Sequence, residues 1–229
     1  MAEDTATASA EAPEIVIDER REELRAVFVA HLGEAVLDSV IKPGDGLWIR
    51  VATDAWAEAG RVAQGKADCK YFDFLSAIDW LPSPYGRYED SALDVPFPPP
   101  MPERSAAVPG YAGGESRFQV LASVAKTGTD LRVLLKVDVP DDDPRLATWI
   151  RSYSGAAWHE RETHEMFGIS FDGNADLRNL YLPSAFEGHP LRKEFPLLAR
   201  VVKPWPGIID VEPMPGEDDE PSEGEGTEE

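Results

Sequence analysis

The chain has one cysteine in 229 residues, Cys69. A single thiol closes no internal disulfide and supplies too few thiolates for an iron–sulfur cluster or a structural zinc site. Electrons that pass near this protein are expected to be carried by another chain. Basic residues are scarce as well: 22 Lys and Arg stand against 43 Asp and Glu, for a formal net charge of −21. Phosphate binding needs a basic surface, so nucleic acid is not an expected partner. Long apolar runs are also lacking. Nothing approaches the ~20 apolar residues that span a bilayer, and the acidic start cannot act as the basic n-region of a signal peptide. The expectation is a protein that stays in the cytosol and meets a membrane only through partners.

The acidic charge is concentrated at the ends. Residues 1–14 carry four acidic residues and 211–229 carry nine, with no basic residue in either stretch. Segments 1–17 and 206–229 read as solvated, disordered tails, because they have too few apolar side chains to offset the entropy of ordering. Residues 15–210 keep a net charge of only −8.

Between the tails the patterning is that of a folded domain. Residues 18–33 place Leu24, Val27, Phe28 and His31 at helical spacing, with Gly33 as a stop. The stretch 47–52 (LWIRVA) reads as a strand and 53–65 as a second helix with Trp56 and Ala59 on one face. Residues 69–80 (CKYFDFLSAIDW) are apolar enough to be buried, yet periodicity leaves helix and strand both open. Residues 82–114 hold eight of the twenty prolines, so they read as an insertion with polyproline character. Residues 117–125 and 130–139 flank the turn KTGT as a hairpin, and Asp143-Pro144 reads as the start of a helix over 145–153. The expected fold class is α+β: a small mixed domain over 18–155, helices packed on a largely antiparallel sheet, followed by an extended Pro/Gly-rich segment over 156–205.

Two motifs come close to known chemistry. Gly60-Arg61-Val62-Ala63-Gln64-Gly65-Lys66-Ala67 approaches a phosphate-binding loop, but Ala67 stands where a hydroxyl must bind magnesium, and a helix precedes it instead of a strand. His159 and His164 approach a zinc-hydrolase helix. Their gap of five turns the second imidazole about 140° from the first, away from a shared ion, unless His189 completes a different geometry. No Gly-x-Ser-x-Gly elbow occurs.

Residues 158–198 mix large apolar groups with charges of both signs and repeated Gly and Pro, which no single helix or strand explains. If 156–167 is helical, Trp158, Glu162 and Glu165 share one face while Glu160 and His164 share another. Carboxylates beside a tryptophan face solvent or find cations. Arg161, Arg178, Arg192 and Lys193 are the available cations, so an ion-paired network is expected.

This segment resembles the signature of the NuoC family, the 30 kDa subunit of the proton-pumping NADH:quinone oxidoreductase, respiratory complex I. The likeness rests on Glu160-Arg161-Glu162, Met166-Phe167-Gly168-Ile169, Phe171, Gly173, Asp176-Leu177-Arg178, Gly188-His189-Pro190-Leu191-Arg192-Lys193 and Phe195-Pro196-Leu197, and extends more weakly over roughly 20–200. The sequence departs from that pattern at Asn174-Ala175, where His-Pro is usual, and at Asn179, where a second Arg is usual.

The resemblance implies a structural subunit of the peripheral arm, on the cytoplasmic side of a bacterial plasma membrane. It implies an enzyme only as part of a translocase complex (EC 7.1.1 class) that uses FMN, iron–sulfur clusters, NADH and a quinone, with no cofactor in this chain. The implied partners are three other peripheral-arm subunits: the one lining the quinone cavity, the one holding the terminal iron–sulfur cluster, and the two-cluster ferredoxin-like one. The acidic ending points to the separate form of NuoC, not one fused to its quinone-cavity neighbour. The candidate interface residues are Trp158, Glu160, Arg161, Glu162, Phe167, Asp176, Arg178, His189, Arg192 and Lys193. The competing readings are a zinc-dependent hydrolase built on 159–165 and a stand-alone adaptor using the Pro-rich loop.

Overall fold

The computed structural model describes residues 18–84, 101, 103–106 and 108–195. The expected tails and most of the Pro-rich run, together with the stretch 196–205, lie outside these described residues.

Helix α1 (Glu19–Leu32) starts where the Asp18 carboxylate accepts the Arg21 backbone N–H at 3.2 Å. It turns Leu24 and Phe28 inward and ends at Gly33. Strands β1 (Val36–Lys42) and β2 (Gly46–Val51) form a hairpin, after which α2 (Trp56–Gly65) buries Trp56, Ala59, Gly60, Val62 and Ala63. Strand β3 (Tyr71–Asp79) settles the undecided apolar stretch, and β4 (Phe118–Ala125) and β5 (Arg132–Asp138) are the expected hairpin. The sheet order is β1-β2-β5-β4-β3, antiparallel except for the parallel β2–β5 pair.

The strands alternate, so one sheet face carries Leu47, Ile49, Val51, Val120, Ala122, Val133, Leu135 and Val137, all fully buried in one core with α1 and α2. On the opposite face Lys136 donates to the carbonyls of Tyr111 at 2.7 Å and Gly113 at 3.0 Å, and Gln119 donates to Gly113 at 3.1 Å. These bonds hold the return limb of the Pro-rich excursion across the sheet.

The helix expected over 145–153 is absent. Strand β6 (Arg145–Ala147) pairs in parallel with β7 (Ser170–Asp172), flanking α3 (Ala156–Phe167), and 149–152 form turns. The burial of Trp149 explains the difference. Its ring stacks on Trp56 at 4.4 Å, and its indole N–H donates to the Trp56 carbonyl at 2.9 Å. A Cβ on Gly60 would lie 2.9 Å from that ring, so this glycine of the near-miss phosphate loop serves close packing.

Candidate partner-binding site

Helix α3 packs on β3, and the irregular segment 173–195 runs back along it. A segment without a ladder must find partners for its own N–H and C=O groups. Here α3 supplies such partners in two places, and in a third it ties the segment down through a side chain.

In the first, the Glu165 carboxylate accepts the backbone N–H groups of Leu180 at 2.9 Å, Tyr181 at 3.0 Å and Leu182 at 2.5 Å. One turn earlier, Arg161 donates to the carbonyls of Arg178 at 2.9 Å and Asn179 at 3.0 Å. Its guanidinium also lies over the Trp158 ring, 5.4 Å from the centroid. Burial pushes the Glu165 pKa up, but the three N–H donors outweigh it and hold the carboxyl below its ordinary range.

In the second, the last carbonyls of α3 are capped by the Gly188–Lys193 motif. The Glu165 carbonyl contacts His189 Nδ1 at 2.8 Å, which places that ring's proton on Nδ1. The Met166 carbonyl accepts the Leu191 N–H at 3.1 Å, and the Phe167 carbonyl accepts Arg192 Nε at 2.7 Å. The crossing needs Gly168. Its φ is +75°, and a Cβ there would lie 2.4 Å from Arg192 Nη2 and 2.6 Å from His189 Nε2.

In the third, Glu160 is fully buried. It accepts from the Thr148 hydroxyl at 2.7 Å, the Trp149 N–H at 2.7 Å and the Asn174 amide at 3.0 Å, joining β6 to the turn after β7. Burial raises its pKa, and these three donors only partly oppose that.

The expected ion-paired network is therefore corrected. Among the described residues no ion pair links Glu160, Glu162 or Glu165 to Arg161, Arg178, Arg192 or Lys193, because the buried carboxylates are taken by N–H and O–H donors and the arginines by carbonyls. Arg178 instead forms a two-point pair with Asp176 at 2.7 and 2.8 Å, exposed to solvent, and holds that carboxyl well below the usual range. Of the remaining candidates, Phe167 is buried, Glu162 is half-buried and the Lys193 side chain is exposed. Glu165, Gly168 and Asn174 were not among the candidates. The available signal was the need of an irregular segment for acceptors.

His159 lies edge-on against Phe72 at 5.2 Å, while His164 Nδ1 contacts the Ile169 carbonyl at 3.0 Å, so the two rings use different faces. Among the described residues no group of three or more His, Cys, Asp or Glu is placed to hold a metal, and no helix is long and apolar enough to cross a membrane. Burial pushes the Cys69 thiol up to about 11, leaving it a poor nucleophile.

Residues 49–201 match the family described as the respiratory-chain NADH dehydrogenase, 30 Kd subunit. The chain belongs to this family. A relative, the NADH-quinone oxidoreductase C subunit of Thiobacillus denitrificans, is 31% identical over 181 residues, covering 79% of this chain and 78% of that protein. NADH-quinone oxidoreductase subunit 5 of Thermus thermophilus is 39% identical over 107 residues, 44% of this chain and 45% of that one. Among solved structures, a chain of the membrane-bound sulfane sulfur reductase, an archaeal respiratory membrane complex, superposes with a TM-score of 0.54 at 17% identity. That match covers 80% of this chain and 88% of the other, and it shows a shared α+β fold. The family match spans α3 and the whole segment pinned to it.

Proposed function

We propose that this 30 kDa-family chain is a structural and assembly subunit of the peripheral arm of a proton-translocating NADH:quinone oxidoreductase, and that it contributes no catalytic group of its own. Its neighbours are the subunit lining the quinone cavity, the subunit holding the terminal iron–sulfur cluster and the two-cluster ferredoxin-like subunit. FMN, iron–sulfur clusters, NADH and quinone bind elsewhere in the complex, on the cytoplasmic side of a bacterial plasma membrane. One observation carries the reading: α3 spends its buried carboxylates and its last carbonyls on fixing an irregular segment, which leaves Trp158 and Tyr181 61% and 64% exposed on the outside. Large aromatic groups held rigidly at a surface are the usual anchors of a protein interface.

The test is to replace Arg178, Trp158 or Tyr181 by Ala and measure both the assembled complex in detergent-solubilised membranes and its NADH:quinone turnover. Assembly falls while turnover per assembled complex stays near wild type. A variant that assembles normally yet loses turnover would make the chain a participant in the quinone chemistry.

A further inference from the structure

A cavity of about 480 Å³ opens beside the start of β4 and the carboxy-terminal segment. Leu81, Phe118 and Pro144 form its apolar walls, and Arg104, Arg117, Arg192 and Asp141 supply its charges. Two of the guanidinium groups share one ring: Arg117 and Arg192 lie 4.5 Å and 5.3 Å from the Phe118 centroid. Cations so close repel unless each meets a carboxylate. Arg117 meets two, Asp79 at 2.7 Å and Glu194, and Arg104 meets Asp141. Among the described residues Arg192 meets none, and its one side-chain hydrogen bond runs from Nε to the Phe167 carbonyl, so its terminal nitrogens have no partner there. Burial pushes its pKa down and Arg117 adds to this, with Glu194 and Asp79 in opposition.

We propose that this cavity is a carboxylate-binding site, in which Arg192 and Arg104 receive an acidic side chain from a peptide segment of another subunit. The two-point fork of arginine matches a carboxylate, and the apolar walls suit the methylene stem of a glutamate. Asp79, Asp141 and Glu194 already offset the charge of the three arginines, so a singly charged carboxylate on Arg192 is accommodated more readily than a doubly charged phosphate. Arg192 also caps α3, the helix that carries Trp158 at its other end. Only the source of the carboxylate rests on that reading.

The site is tested on the isotope-labelled full chain, titrated at low salt with a short polyglutamate peptide and, as a control, a polyglutamine peptide, following the arginine Nε–H signals. Polyglutamate shifts Arg192 and Arg104, and polyglutamine does not. Arg104→Gln, which leaves the α3 cap intact, and Arg192→Lys each weaken the peptide by about tenfold, as expected for loss of one charged hydrogen-bonding partner. Unchanged binding in both variants, or inorganic phosphate binding as tightly as polyglutamate, overturns the carboxylate assignment. A chain ending at residue 210 binds the peptide as the full chain does. Binding about tenfold tighter in that shortened chain would mean that the acidic tail competes for the cavity, and would overturn the assignment to another subunit. Peptide binding is read on the isolated chain and subunit membership by co-purification, so failure of one is distinguishable from failure of the other.

Discussion

The Asn174 side-chain amide donates to Glu160 Oε2 at 3.0 Å, and the carboxylate receiving it has no access to solvent. With Thr148 and Trp149 also donating, Glu160 is surrounded by donors and, among the described residues, pairs with no cation. Glu160→Gln brings an amide N–H against one of those donors and should cost ~1–3 kcal/mol in urea unfolding. Glu160→Gln combined with Asn174→Asp reverses the polarity of the contact and should recover most of that loss. Because the folded-state pKa of Glu160 is raised, the folded protein holds this proton more tightly than the unfolded chain does. Stability should therefore fall as pH rises from the ordinary carboxylate range through the raised value, and the Gln variant should lack that fall.

Glu165 has the opposite sign. Its lowered pKa contributes stability above the ordinary carboxylate range, and that stability is lost as pH falls through the folded value. Glu165→Ala leaves three N–H groups of 180–182 without their acceptor. Trypsin cleavage after Arg178 should then accelerate by about tenfold or more, with the sheet core still protected, since one lost net hydrogen bond is already worth ~1 kcal/mol. Unchanged cleavage would mean that the segment is held by something else.

Gly168→Ala requires a left-handed conformation of an L-residue, which costs ~1–2 kcal/mol before the clash with Arg192 and His189 is counted. Chemical denaturation should show at least that loss. In membranes, less complex should accumulate, because the same substitution displaces two of the three caps on α3.

Arg161 and Arg178 offer a way to separate folding from the proposed partner binding. Arg161 donates to two carbonyls, so Arg161→Ala should destabilise the isolated chain by ~1–3 kcal/mol. Arg178 pairs with Asp176 in solvent, so Arg178→Ala should leave the urea midpoint of the isolated chain unchanged and act only on assembly. Equal midpoint shifts in the two variants would contradict the arrangement.

Lys136 gives an alkaline signature. Burial pushes its pKa down to about 8 from 10.5, with Asp138, Arg50 and Asp38 as its charged neighbours. The folded state thus binds fewer protons than the unfolded chain between those values, and stability should rise with pH across the window. Lys136→Met should abolish that rise and expose the amides of the 108–114 limb to faster hydrogen exchange.

Elements that carry their own periodicity were readable in the sequence: α1, α2, β2 and the β4–β5 hairpin stand where the patterning puts them. Irregular or tertiary-dependent strands were not. In β1 and β3, register shifts at Val36/Asp38 and Phe72/Phe74 break the alternation that marks a strand. The three residues of β6 depend on a partner about 25 positions later in the chain, so Asp143-Pro144 suggested a helix that the Trp149–Trp56 stack overrides. At the candidate site the bonding differs from the expectation. Side-chain chemistry suggests carboxylate–arginine pairs, whereas the strongest demand came from backbone groups of 178–182 and 165–167, which no residue name reveals.

The parallel pairing of Leu47–Val51 with Val133–Val137 sets an order of events during synthesis. The β1–β2 hairpin emerges early and keeps an open edge until residues about 85 positions later arrive. A long loop must close before the sheet is continuous, which slows folding and leaves an apolar strand exposed meanwhile. Helix α3 docks on β3, whose partner strand among the described residues is β4, so the outward aromatic surface requires the β3–β4 pair to have formed. A neighbour that binds this surface therefore selects molecules in which that pair has formed and leaves earlier ones to proteolysis.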